Sequence, residues 1–241
     1  RSFHGKTIGA LSVSNADEMT YQFPQLLDNK TYEFNNSSNL KSIVESNLDT
    51  SGNCNIFAIL VEPFSASSFE VTNDNFLIEA REISNKYSIP LIFDEIYTGF
   101  FKTGPLFNFM RTSIVPDIVV YSKSFGGGKS SISGYTTTKA LFNSSYGNTN
   151  DALMHSTTYN AFGEETLTAI VAIEVALEEE FEKKSKNLQK LLETGFKKLS
   201  EKYKFFHSFS GMGALYGLEF DLPEVYKQLE KIFQNLDKKF F

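Results

Sequence analysis

Asp94 and Lys123 are the two residues whose type and position invite chemistry. Asp94 closes the apolar run Leu91-Ile92-Phe93, and Lys123 closes another, Ile118 to Tyr121. Each run lacks polar alternation and follows a helix-like connection, so each reads as a buried strand of a parallel sheet. A charged group at the carboxyl end of such a strand lies where open α/β sheets bind ligands, which makes the pair candidates for one pocket. Burying an ammonium is costly unless its pKa falls or it finds a partner. A depressed pKa is also what a lysine needs to attack a carbonyl and form a Schiff base. The competing reading of Lys123 is a packed stem whose head reaches solvent or a glycine-loop carbonyl.

The surrounding residues leave similar alternatives. Gly126-Gly127-Gly128 lets the backbone approach a phosphate or a flat ring closely, or is a flexible turn. The string GGGKSS looks like the end of a nucleotide-binding loop, but that pattern needs a glycine where Lys123 stands, and its acidic strand should follow the loop. Both tests fail. Asp94-Glu95 is a plain carboxylate pair, a partner for a protonated pyridine nitrogen, or half of a structural salt bridge. Phe3-His4 can stack on a planar cofactor or belong to the core. Thr157-Thr158 can bind phosphate or make local turns. His4, His155 and His207 lack metal-ligand spacing, so no metal is expected, and no Ser-His-Asp or G-x-S-x-G signature occurs.

The elements that must position these residues alternate between strand and helix. A His-Gly turn precedes an expected strand of small residues from Thr7 to Val13, and a short helix is expected near Leu40–Leu48. The run IFAILVE reads as a strand stopped by Pro63. Thr72-Asn73-Asp74 can cap a helix to about Tyr87, with Phe76, Leu77, Ala80 and Ile83 at helical spacing. After the two central strands comes a third, Gly134 to Thr138, and then an aperiodic stretch over 143–162. From Gly163 a helical pattern carries Leu167, Ile170, Val171 and Leu177 on one face. It continues past a break near Glu182 to Tyr203. A strand from Ala214 to Phe220 and a helix from Pro223 to about Lys238 complete the pattern. The order is that of an α/β domain over 1–182, with a second, incomplete unit over 183–241.

Composition agrees with a globular domain: 41% of the 241 residues are hydrophobic and 22% charged. A net charge of -6 argues against nucleic-acid and anionic-membrane partners. No apolar run reaches the roughly 18 residues that span a bilayer. The single cysteine, Cys54, fits a reducing compartment, and a cytoplasmic location is expected. Arg1 leads straight into a patterned segment, as if the chain began within a domain.

Taken together, F-H-G-K-T, V-E-P, LIFDEIYTGFFKTG, PDIVVYSKSFGGG and H-S-T-T-Y-N-A-F-G resemble the class III, ornithine-aminotransferase-like family of pyridoxal-phosphate enzymes, in order and across nearly the whole chain. The resemblance implies the fold type I transferase architecture: a mostly parallel central sheet between helix layers, with the start of a small α+β domain. It implies pyridoxal 5'-phosphate as cofactor and transfer of an amino group between an amine or amino acid and a 2-oxo acid or aldehyde. Lys123 would form the Schiff base and carry the proton, and Asp94 would bind the pyridine nitrogen. Phe3 would stack on the ring with His4 beside it, Tyr97 would sit by the ring hydroxyl, and Glu62 would lie near cofactor and substrate. Thr158 would bind the phosphate of a neighbouring subunit, implying a homodimer. The family's upstream phosphate loop and downstream carboxylate-gripping arginine would fall outside the chain. An aminomutase or racemase using the same lysine, or a non-catalytic fragment that packs with a partner, are the alternatives. Tyr97, the segment FSASSF after Pro63, Ser131 and Ser210 depart from the family pattern and bear on substrate choice.

Overall fold

The computed structural model describes residues 2–15, 19, 24–151, 153–160, 163–221, 223, 226–227 and 230–232. Its centre is a four-stranded sheet of β1 (Ile59–Val61), β2 (Leu91–Asp94), β3 (Ile118–Tyr121) and β4 (Gly134–Thr137), hydrogen-bonded in that order. The first three run parallel and β4 runs antiparallel to β3. Helices α1 (Ile8–Ser12), α2 (Ser37–Ser46) and α3 (Asp74–Tyr87) precede β1 or join it to β2. Helices α4 (Lys139–Tyr146), α5 (Gly163–Glu178) and α6 (Phe181–Lys202) follow the sheet and lead to a hairpin of β5 (Phe206–Met212) and β6 (Leu215–Phe220). The expected mostly parallel sheet flanked by helices is therefore present.

The core explains the three parallel strands. Val61, Leu91 and Phe93 are fully buried, and Leu40, Val44, Phe76, Leu77 and Ala80 from α2 and α3 pack against them in one cluster. Short apolar strands without alternation are what a sheet covered on its faces requires. Asn73 caps α3 by accepting a hydrogen bond from the Phe76 amide at 2.6 Å, and Ser88 ends it in the left-handed region at φ 55°.

Three sequence expectations differ from the structure. Residues 8–12 form a helical turn and not a strand, because the Thr7 side chain accepts the Ala10 amide and caps it. The stretch after residue 138 opens with helix α4, capped by Thr138. The break expected near Glu182 falls at Glu180, which sits at φ 52°. Strand β5 went unpredicted because its sequence, FHSFSGM, alternates only weakly. The expected helix from Pro223 lies largely outside the described residues; Tyr226, Lys227 and 230–232 are helical within it.

Helix α5 packs unexpectedly. Leu167, Ile170, Val171 and Leu177 are exposed, while Ala169 and Ala176 are buried. The helix lies on the short 3-10 helix Lys123–Gly126 that follows β3. Gly127 ends that turn at φ 61°, and a Cβ on it would come within 2.8 Å of the Ala172 Cβ. Gly127 is therefore needed for both its backbone angle and its contact with a helix. Gly127→Ala should cost about 1–3 kcal/mol of stability by urea unfolding. Adding Ala172→Gly should restore part of that loss, since it removes the steric contact but leaves the backbone strain.

Candidate active site

Parallel pairing brings the two candidate residues to one edge of the sheet. Asp94 is paired in register with Val120, and the Glu95 amide donates to the Val120 carbonyl at 2.8 Å. Lys123 follows three residues later. It holds φ at 46°, a left-handed conformation costing a non-glycine residue about 1–2 kcal/mol. Ser122 braces the turn by donating its hydroxyl to the Ile132 carbonyl at 3.0 Å.

Lys123 is exposed, against the expectation of a buried amine. Its Nζ lies 4.7 Å from the centre of the Tyr97 ring, within cation–π range, and forms no hydrogen bond or ion pair with the described residues. Tyr97 is held in turn by the rings of Phe64 and Phe69, each with its centre 6.2 Å away. Lys123 and Tyr97 both line a cavity of about 870 Å³.

Asp94 is buried and oriented. One carboxylate oxygen lies 2.7 Å from His4 Nδ1 and the other accepts the Ile96 amide at 3.0 Å. The side chains of His4 and Asp94 are only 7% and 8% exposed, so neither can turn to solvent. His4 is fixed through its backbone amide, which donates to Ser14 Oγ at 2.9 Å. Ser14 in turn donates to the Ala10 carbonyl at 2.8 Å. Ser14 was not singled out from the sequence, where it sits in a polar stretch with no pattern to mark it.

Glu62 is occupied by backbone donors. The Phe3 amide donates to Oε1 at 3.0 Å and the Ala66 amide to Oε2 at 3.1 Å. The carboxylate thus staples the Phe3-His4 segment to the end of β1. Burial pushes its pKa above the usual carboxylate range, against the pull of those two amides. His4 and Glu62 line a second cavity, of about 490 Å³.

Asp94 and Glu95 do not act as a carboxylate pair. Glu95 is fully buried and accepts from the Thr98 hydroxyl, the Asn108 amide at 3.0 Å and the Phe109 amide at 2.9 Å. It organises the turn after β2, while Asp94 faces His4. Phe3, His4, Glu62 and Asp94 therefore form one connected group, and Tyr97 stands with Lys123 beside it. Thr158 is exposed in the loop between α4 and α5. Among the described residues, no three His, Cys, Asp or Glu side chains are grouped to hold a metal, and no helix is long and apolar enough to cross a membrane.

The residues present fit a flat, cationic heterocycle bearing an aldehyde. A buried carboxylate with one edge held by histidine can hold a proton on a ring nitrogen, and a strained, unpaired lysine amine near a cavity can bond to a carbonyl carbon. Lys123 and Asp94 could hold such a group, with Phe3 next to the His4 that meets Asp94 and the Tyr97 ring under the Lys123 amine.

Comparison with known proteins gives the family and the fold. Residues 1–239 match the family described as aminotransferase class-III, and the chain belongs to that family. Among curated relatives, it is 30% identical over 219 residues to acetylornithine aminotransferase of Shewanella oneidensis, covering 90% of this chain and 51% of that protein. It is 27% identical over 227 residues to an uncharacterized aminotransferase of Schizosaccharomyces pombe, covering 92% and 46%. Among solved structures, ornithine aminotransferase from Toxoplasma gondii superposes with a TM-score of 0.82 at 22% identity, covering 92% of this chain and 50% of that one. An (S)-enantioselective omega-transaminase from Thermomicrobium roseum gives 0.81 at 22% identity, covering 94% and 55%. The fold is that of the fold type I transaminases. The chain spans about half the length of these relatives.

The Glu62 staple makes a pH prediction. A carboxyl with a raised pKa in the folded state binds more protons when folded, so its contribution is full below the unfolded pKa and lost as pH rises through the folded value. Urea midpoints measured between about pH 4.5 and 7 should therefore fall more steeply with pH for the native protein than for Glu62→Gln, which cannot ionise. Parallel slopes would mean that Glu62 ionises in the fold as it does in water.

Proposed function

We propose that this chain carries the cofactor-binding and amine-handling part of a pyridoxal-phosphate aminotransferase. The reaction moves an amino group between an amine or amino acid and a 2-oxo acid or aldehyde. The observation that carries the reading is the placement of His4-braced Asp94 and strained Lys123 at adjacent carboxyl ends of paired parallel strands.

The bound cofactor supplies an electron-withdrawing ring that makes the Cα–H bond of an attached amine acidic. The protein's own groups do the rest. Asp94 would hold a proton at the pyridine nitrogen, with His4 fixing its carboxylate edge. Lys123 would hold the cofactor through Nζ and, once freed by a substrate amine, would carry the proton from the substrate Cα. Phe3, held through its backbone amide by Glu62, would be the aromatic residue to stack on the ring. Tyr97, packed between Phe64 and Phe69, limits the space beside the Lys123 amine.

Thr158 would reach the cofactor phosphate of a second copy, which makes the working unit a homodimer. Two features support this: Thr158 is exposed, and Leu167, Ile170, Val171 and Leu177 form an uncovered apolar face on α5. Residues 1–182 form the cofactor-binding unit in this reading, and 183–241 the connecting helix and the start of a small domain. A cytoplasmic location is proposed on the single free Cys54.

Adding pyridoxal phosphate to the protein should produce a visible absorbance band from its lysine-linked form. Lys123→Ala should abolish the band, while Lys129→Ala, six residues on, should keep it. Equal loss in both variants would sink the assignment of Lys123.

A further inference from the structure

The β5–β6 hairpin is linked to the Lys123 amine through a run of side-chain contacts. The link begins at a cross-strand pair, Ser210 on β5 and Gly217 on β6, which stand opposite each other in register. The Ser210 hydroxyl donates to the Phe69 carbonyl at 2.9 Å, across 141 positions of sequence. Gly217 leaves room for the Phe69 side chain, because a Cβ there would come within 2.8 Å of the Phe69 Cβ and 2.9 Å of its Cγ. The pair thus gives Phe69 a seat, polar on one strand and steric on the other.

Phe69 is strained where it sits. It holds φ at 58°, a left-handed conformation that is an outlier for a bulky side chain. The loop after β1 restrains it from one side: the Phe69 amide donates to the Ser65 carbonyl at 2.9 Å, and the Ser65 amide donates to the Glu70 carbonyl at 2.9 Å. The hairpin restrains it from the other, at its carbonyl and its Cβ. What this fixes is the direction of the Phe69 ring. That ring meets Tyr97 at 82° with 6.2 Å between centres, and meets Phe64 at 88° and 6.2 Å. Phe64 is fully buried and touches Tyr97 as well, so each of the three rings meets the other two. The Lys123 amine then stands over the Tyr97 ring.

We infer that Ser210, Gly217 and Phe69 are positioning residues for Lys123: the hairpin, acting through Phe69, sets the Tyr97 ring and with it the place of the amine. The inference rests on the reading of Lys123 as the amine-handling residue. An exposed lysine has a flexible four-carbon stem. Holding it over one ring removes in advance part of the freedom lost when the amine bonds to a carbonyl. Tyr97, Ser210 and the segment FSASSF that ends in Phe69 all depart from the class III pattern, so this strut is written in the chain's own sequence.

NMR of the cofactor-free protein, its lysine amines carrying isotope-labelled methyl groups, provides the test. The Lys123 methyl signal, identified by its loss in Lys123→Arg, should lie upfield of a free lysine's because of the Tyr97 ring current. It should return to the free position in Tyr97→Leu. Gly217→Ala, which crowds Phe69, should move it in the same direction; Ser210→Ala should do so by less, and Ser210→Thr should restore it. Ser208→Ala, which removes a hydroxyl bond to Glu219 within the hairpin, should leave the signal in place. Loading of pyridoxal phosphate, followed by its visible band, should slow about threefold in Gly217→Ala and stay unchanged in Ser208→Ala. A signal unmoved in Gly217→Ala and Ser210→Ala, or moved equally in Ser208→Ala, would overturn the inference, as would native-like loading in Gly217→Ala. If Gly217→Ala does not fold, Ser210→Ala and its threonine rescue decide alone. If pyridoxal phosphate does not join Lys123 in the native protein, the proposed function fails by itself, and the methyl signal still decides whether the hairpin places the amine.

Discussion

Everything in this site depends on β2 and β3 running parallel and side by side. Parallel neighbours place their carboxyl ends on one edge, so residues 29 positions apart in the chain come to the same edge of the sheet. The pairing of Asp94 with Val120 fixes how far each strand reaches that edge. A register slip would turn every side chain of the slipped strand to the other face. Buried Leu91, Phe93 and Val61 on the covered side make such a slip costly, and so the apolar core sets the geometry of the polar residues.

Two further constraints convert that edge into a site. At the end of β2, successive carboxylates have opposite duties: Asp94 meets His4, and Glu95 binds the amides of Asn108 and Phe109. The second ties down the aromatic turn while the first holds the His4 ring. At the end of β3, the chain turns left-handed at Lys123 and again at Gly127, where it presses against Ala172 of α5. Backbone strain of this kind persists only when its surroundings over-determine it. The glycine–alanine contact and the bond from Ser122 to Ile132 provide that restraint.

Much of this was legible in the sequence, for identifiable reasons. Unbroken apolar runs ending in Asp94 and Lys123 marked strands and their ends, and Asn73 marked the start of α3. The glycine triplet announced a close approach but not its partner, because contact with Ala172 depends on tertiary packing 45 positions away. The partnership of His4 with Asp94 was equally hidden; both residues were singled out, yet nothing local ties positions 90 apart. Helix α1 was mistaken for a strand because one turn of small residues carries too little periodicity to outweigh β-branched Thr7, Ile8 and Val13. The outward side of α5 misled for the opposite reason, since strong apolar periodicity marks a face to be covered without saying by what.

Reduction of the pyridoxal-phosphate-treated protein with borohydride, followed by peptide mass mapping, tests the account at its centre. The carbon–nitrogen bond becomes permanent wherever the cofactor was joined. The account predicts a single modified site, Lys123, with the yield falling sharply in Asp94→Ala. Modification at Lys129 or Lys102 with Lys123 untouched would contradict it, because the paired strand ends would then not be where the cofactor is held.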